Sequence, residues 1–305
     1  MGASGVLTCA VLATVLVGCG TPEAGPGAAA PAPDWPRLDP CSLVAPDALS
    51  RFGTQVPGPE LNFDDCRFAL RNGVDELTVT LASGGRLASA NGADQLGFEL
   101  VERDGVRVGR AKAVADSCGS VVLLPDLRYV TVDVSGADAQ LCEVAEAAAE
   151  SVRTVLRAGG TRTRAYPPNS LAGVDPCPLV PAGLAAKVPG IDTPQPNGDG
   201  NRHVCQWGGR RPDSPSLLVT FSVVDPDPAT PVAEERIGGR DSLVRAQPAG
   251  SGLLPSCRVD TRHIRFGQNY LENARVAVYS ALPAEENCPL AREVATEVWS
   301  RLPAL

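Results

Sequence analysis

A chain of 305 residues is long enough for two ordinary domains, and 44% apolar with 20% charged residues is a globular composition, not a disordered one. Aromatics supply only 4%, so any core must rest on Val, Leu and Ala. The net charge of −8 excludes a nucleic-acid-binding surface, which needs a basic face to meet phosphates.

The first 18 residues, MGASGVLTCAVLATVLVG, carry no charged side chain. The apolar run Val6 to Val17 has about 12 residues, short of the roughly 20 that a membrane span needs but right for the core of a signal peptide. It ends Leu16-Val17-Gly18-Cys19, which looks like a bacterial lipobox, a small residue ahead of a Cys that becomes N-terminal and acylated. Cys19 is therefore expected to carry diacylglycerol and a palmitate-type acyl chain. Each buried CH₂ contributes roughly 0.8 kcal/mol, so two or more chains anchor stably. The expected location is the outer face of the cytoplasmic membrane, with some release to the medium. Cys9 lies in the removed peptide. Residues 19–36 are rich in Pro, Ala and Gly and read as an extended tether, with Trp35 expected to dock on the first domain.

Two spellings then recur: Asp39-Pro-Cys-Ser-Leu-Val44 and Asp175-Pro-Cys-Pro-Leu-Val180. Cys41, Cys66, Cys118 and Cys142 are spaced by 25, 52 and 24; Cys177, Cys205, Cys257 and Cys288 by 28, 52 and 31. The shared middle gap and the aromatic two residues after each second Cys (Phe68, Trp207) indicate a tandem duplication. The repeats are placed at 37–158 and 171–305, joined by a linker at 159–170. Residues 37–158 carry 12 basic and 18 acidic residues, a net −6, and residues 159–305 carry 15 of each.

Four cysteines per repeat allow three pairings, and an exported location favours disulfides. The expectation is first with second and third with fourth: Cys41–Cys66, Cys118–Cys142, Cys177–Cys205 and Cys257–Cys288. Zinc is not expected, because no C-x₂-C pair occurs and His203 and His263 are the only histidines.

Each repeat is expected to open with a short helix, the first (APDALSRFG) capped by Gly53. Strands follow at 76–82 and 216–224, where apolar residues alternate with Thr or Ser. After the third Cys come hairpins turning at Pro125-Asp126 and around Gly267 to Asn273. The fourth Cys opens a closing helix, with one face marked by Leu141, Val144, Ala145, Ala148, Val152 and Val155, and by Leu290, Val294, Val298 and Leu302. The fold class is α+β: two similar domains, each an antiparallel sheet of about four or five strands with helices on one face.

The Asp-Pro-Cys-x-Leu opening, the Cys-x-aromatic strand, the Gly-containing turn before a late strand and the closing helix, all behind a lipobox, resemble the DUF3558 family of actinobacterial lipoproteins. The resemblance covers residues 39–158 and 175–302. It implies lipoprotein status and disulfides and supplies no catalytic residue.

Catalytic motifs are sparse. Gly250-Ser251-Gly252 lacks the G-x-S-x-G frame of a serine hydrolase. His203 and His263 read as structural or exposed, NGDGNRH (197–203) as a turn, and Asp64-Asp65 and Asp225-Pro-Asp227 as solvated turn acids without the rhythm of a calcium loop. No cofactor is expected. The leading expectation is a monomeric, non-enzymatic binding module for an envelope ligand or protein, seated in a groove between the repeats. An accessory subunit of a membrane complex and an unrecognised envelope hydrolase are the alternatives.

Overall fold

A computed structural model describes residues 32–59, 62–87, 97–103, 105–110, 116–137, 140–192, 194–209, 211, 213–226, 234–250 and 252–305. The signal peptide and Cys19 lie outside these residues, as do Ser251 and Asp227.

The first repeat contains β1 (Thr54–Pro57), β2 (Asp65–Asn72), β3 (Asp75–Arg86), β4 (Glu99–Arg103), β5 (Val106–Arg110), β6 (Ser117–Leu123), β7 (Arg128–Ser135) and α1 (Leu141–Ala158). The second contains α2 (Ala182–Ala185), β8 (Asn197–Gly198), β9 (Val204–Gly208), β10 (Ser216–Val224), β11 (Glu234–Ile237), β12 (Arg240–Gln247), β13 (Ser256–Phe266), β14 (Tyr270–Tyr279) and α3 (Ala284–Trp299). Each sheet has seven antiparallel strands, not four or five. The orders are β1-β2-β3-β7-β6-β5-β4 and, read from the matching edge, β8-β9-β10-β14-β13-β12-β11. Strand for strand they are the same, so the α+β duplication is present in three dimensions.

The alternation in β3 and β10 puts Leu77, Val79 and Leu81, and Leu217, Val219 and Phe221, into the two cores. The closing helices cover those faces. In α1 the buried stripe is Leu141, Val144, Ala145, Ala148, Ala149 and Val152, while Val155 is half-buried. Gly159 ends α1 in the left-handed conformation, its N–H returning to Leu156 and Val155. Helix α3 begins at Ala284, four residues before Cys288, and Leu302 lies beyond its end. The late hairpin of the second repeat is also tighter than its sequence implies, because β14 resumes at Tyr270.

The repeated Asp-Pro-Cys now has a mechanical explanation. Asp39 and Asp175 each accept the N–H of the Cys two residues on, at 3.1 and 2.9 Å. These caps hold 3-10 turns (Pro40–Leu43, Cys177–Leu179) where a short helix is expected, and residues 46–52 form turns and a 3-10 segment ending at Gly53. Each Cys then crosslinks its turn to a strand. The pairs are Cys41–Cys66, Cys118–Cys142, Cys177–Cys205 and Cys257–Cys288. Trp35 is buried in the first core beneath the Arg128 guanidinium. The linker is tied down as well: Leu38 bridges Thr163, and Asp39 N–H donates to Arg162 O at 2.9 Å.

Each disulfide closes a loop of 24 to 31 residues, and such a loop is worth about 3 kcal/mol of lost unfolded-state freedom. Replacing Cys118 and Cys142 together by Ser should lower the unfolding free energy by about that amount, read as a shift in the urea midpoint with the other three crosslinks intact.

Candidate functional site

The two repeats meet through equivalent positions. Asp64 stands two residues before the second Cys of the first repeat, and His203 two residues before the second Cys of the second. Their backbones are held alike, Ser83 N–H to Asp64 O at 2.9 Å and Phe221 N–H to His203 O at 2.7 Å. The side chains pair with each other: His203 Nδ1 lies 2.8 and 2.9 Å from the two Asp64 oxygens. His203 Nε2 lies 3.0 Å from the Ala172 carbonyl. With a carboxylate on one nitrogen and a carbonyl on the other, both nitrogens must donate, so the ring is an imidazolium.

Burial opposes that charge. The Asp64 hydrogen bond and charge, helped by the Ala172 carbonyl and Asp199, outweigh it and hold the His203 pKa above the usual imidazole value. Asn201 donates to Asp64 Oδ1 at 2.6 Å and to Ser83 Oγ at 3.2 Å. Asp199 accepts the His203 N–H at 2.9 Å. Burial first, and the Asp64 charge second, push Asp65 and Asp199 each up to about 6. Phe63, from the first repeat, is part of the second repeat's core, with ring centroids 4.9 Å from His203 and 5.4 Å from Phe266. The seam depends on Gly84: its φ is +96°, and a Cβ there would sit 2.4 Å from the Asn201 side chain.

These observations correct the sequence reading. Asp64 is not a solvated turn acid; its side chain is 16% exposed and anchors the junction. The 197–203 segment is more than a turn, since it delivers Asp199, Asn201 and His203. Here the repeats are in contact rather than separated by a groove: Asn201 and His203 are 1% exposed. An Asp–His pair is also half of a hydrolytic relay, but the nitrogen that would take a proton from a nucleophile is bonded to Ala172 O. The pair is a crosslink.

His263 does a different job. Its Nε2–H donates to Asn169 O at 2.5 Å, so Nδ1 accepts from Arg240 Nη1 at 3.0 Å and the ring is neutral. Burial, and then the Arg240 charge, hold its pKa below the usual value. Arg240 in turn donates to the Pro303 carbonyl beyond the end of α3. Among the described residues no cluster of His, Cys, Asp or Glu could hold a metal.

A cleft of about 850 Å³ opens in the first repeat, between the 3-10 turn at 40–43, edge strand β1, the last turns of α1 and the linker. Its walls include Val44, Pro46, Phe68 and Val155, and its floor the Cys41–Cys66 disulfide. Arg67 and Arg162 line it, and among the described residues no carboxylate does. Ser42 Oγ accepts the Arg162 N–H at 3.0 Å and Ser151 Oγ the Ala45 N–H at 2.9 Å, so linker and turn are fixed in place. Sequence reasoning missed this cleft because turn and linker residues build it. The only advance signal is the placement of Arg67 beside Cys66.

No protein-family model, curated protein or solved structure matches the chain. The four disulfides point to an oxidising, extracytoplasmic compartment. Among the described residues no helix is long and apolar enough to cross a membrane.

Two predictions test the seam. Gly84→Ala should destabilise the chain by about 1–3 kcal/mol, from strain and from displacement of Asn201, measured by calorimetry. The second concerns pH. Asp65 and Asp199 have raised acid values, so their contribution is fully present below about 3.8 and is lost as pH rises through about 6. His203 is raised above 6.5, so its contribution is fully present below 6.5 and is lost as pH climbs through its folded value. All three lower the stability of the fold as pH rises. Asp199→Asn keeps an acceptor for His203 N–H and should remove part of that slope. The wild-type Tm should therefore fall relative to the variant between about pH 4 and 7; a constant difference refutes the assignment.

Proposed function

We propose that the chain is an exported lipoprotein of the DUF3558 type, anchored through acylated Cys19 on the outer face of the cytoplasmic membrane, and that it is a non-enzymatic binding module. The supporting observation is the first-repeat cleft: about 850 Å³, apolar walls, two lining arginines and, among the described residues, no lining carboxylate. A pocket of apolar surface with a few convergent polar groups is the usual form of a small-molecule site. The charge adds to this: Arg162 is paired with Asp39 at 3.6 Å, while Arg67 has no ion pair among the described residues in a repeat of net −6. Its ligand is therefore a small apolar molecule bearing an anionic group. The disulfide floor and the pinned linker keep the walls in place before the ligand arrives, which limits the ordering cost of binding. The tether at 19–36 gives the body reach from the membrane.

Native mass spectrometry of the exported protein should find acyl chains on Cys19, four disulfides and a co-purified ligand. Thr54 lines the cleft and is exposed. Thr54→Trp should fill it and remove the ligand mass while leaving the acyl mass. Retention of the ligand in that variant would place the binding site elsewhere, and unmodified Cys19 would refute the anchor.

A further inference from the structure

The outer face of the second sheet, opposite its core, carries a cluster of arginines. Arg245 on β12 lies directly across from Arg258 on β13. Arg262 follows on the same face of β13, and Arg275 on β14 lies across from Asp260. Arg275 is neutralised, its Nε 2.7 Å from Asp260 Oδ1. Arg245, Arg258 and Arg262 have no ion pair among the described residues, and the Nε atoms of Arg245 and Arg258 are buried without a hydrogen-bond partner. Like charges directly opposed on a sheet destabilise it.

The fold does not demand these residues. The first repeat is the control, because it has the same strand order and the same cysteine registers. Cys118 faces Val134 as Cys257 faces Val278. Counting from the third Cys, Arg258 corresponds to Gly119 and Arg262 to Leu123. Arg275 corresponds to Thr131, and Ala277 to Asp133. The sibling face has Arg107 across from Leu123 but no arginine at the positions of Arg258, Arg262 and Arg275, and it has an acid at its centre. Between the arginines stand half-buried apolar side chains: Leu243 across from Asp260, Leu218 across from Ala277, and Tyr279. Helices α2 and α3 both pack on the opposite, core side.

We propose that this face docks on an anionic lipid bilayer surface. A broad sheet presenting cations in two dimensions, with aliphatic and Tyr side chains between them, matches a plane of phosphate headgroups over acyl chains better than a hydrated, linear polymer. The face also carries Glu234, Arg236 and Asp241, so Arg236, Arg245, Arg258, Arg262 and Arg275 stand against Glu234, Asp241 and Asp260, and a net of two positive charges near such a surface should favour anionic over neutral vesicles by on the order of 10-fold. The interaction is separate from the Cys19 anchor and from the cleft, so it can be tested without either.

The test uses the chain from residue 19 onward, which holds the whole described fold, with Cys19→Ser to remove acylation. Cosedimentation is measured with vesicles of phosphatidylglycerol and phosphatidylcholine in equal parts, and with phosphatidylcholine alone, at low and high salt. Binding to the first only, suppressed by salt and reduced at least tenfold in the triple variant Arg245→Gln, Arg258→Gln, Arg262→Gln, is the expected result. The triple variant should keep or raise Tm, since it relieves a like-charge pair. The charge-matched control Lys187→Gln, Arg211→Gln, Arg301→Gln should bind as the parent does. Equal binding to both vesicles, or equal loss in the control, overturns the proposal. So does retention on immobilised polyphosphate without vesicle binding, which would assign the face to a soluble polyanion.

Discussion

The buried contact between Asp64 and His203 fixes how the two halves of this molecule sit together, and much of the rest follows from it. A buried ion pair need not add net stability, because desolvating both charges costs about what their attraction returns. What it adds is discrimination. Any slide of one repeat against the other would strand a carboxylate and an imidazolium away from water, together with the Asn201 amide and the Asp199 carboxylate that depend on them. Phe63, seated in the neighbouring core, makes the same choice in apolar terms. The pairing of equivalent positions is the pattern of a two-fold interface, in which residue i meets its own copy. Two identical repeats would set Asp against Asp or His against His there. A duplicated chain can place unlike residues at the two positions, and this one carries an acid in one repeat and a base in the other.

Sulfur supplies what the cores lack. With aromatics at 4%, the interior is built from Val, Leu and Ala, which lets the helices lie close to their sheets but leaves little apolar surface for the segments at the edges. The two crosslinks of each repeat tie its opening and closing elements to the sheet. One ties the 3-10 opening turn to β2 or β9; the other ties the closing helix to β6 or β13. The opening turn of the first repeat is also a wall of the cleft, so the bond that keeps it from fraying keeps the cleft in shape.

The features readable from sequence were those with a local signal. Cysteine spacing gave the duplication, alternation gave β3 and β10, and the apolar stripe gave α1. Short edge strands were invisible: β8 has two residues and β1 and β11 have four each, too few for any period to emerge. The seam was illegible for another reason. Asp64 and His203 are 139 positions apart, and an acid beside another acid, or a histidine after a Gly-rich run, looks solvated when its partner is unknown. Aligning the repeats on their second cysteines sets Asp64 and His203 at one position, which is the trace the sequence did hold. The cleft left no such trace, because turns, an edge strand and a linker share no periodicity.

Duplication also separates what one domain would have to combine. A recognition cleft and a docking face built on the same sheet would compete, since residues chosen for one alter the strand pairing that supports the other. With two copies on one disulfide frame, the opening turn and linker of the first repeat can shape a cleft while the outer face of the second collects arginines at positions where its sibling has Gly119, Leu123 and Thr131. The cost of opposing Arg245 to Arg258 is borne by a sheet already held through Cys257 and Cys288 and through the Trp299 indole, which donates to Ser242 on β12 at 3.1 Å. The seam joins the repeats that carry the two surfaces. The orientation of the proposed docking face relative to the cleft is therefore set at Asp64 and His203.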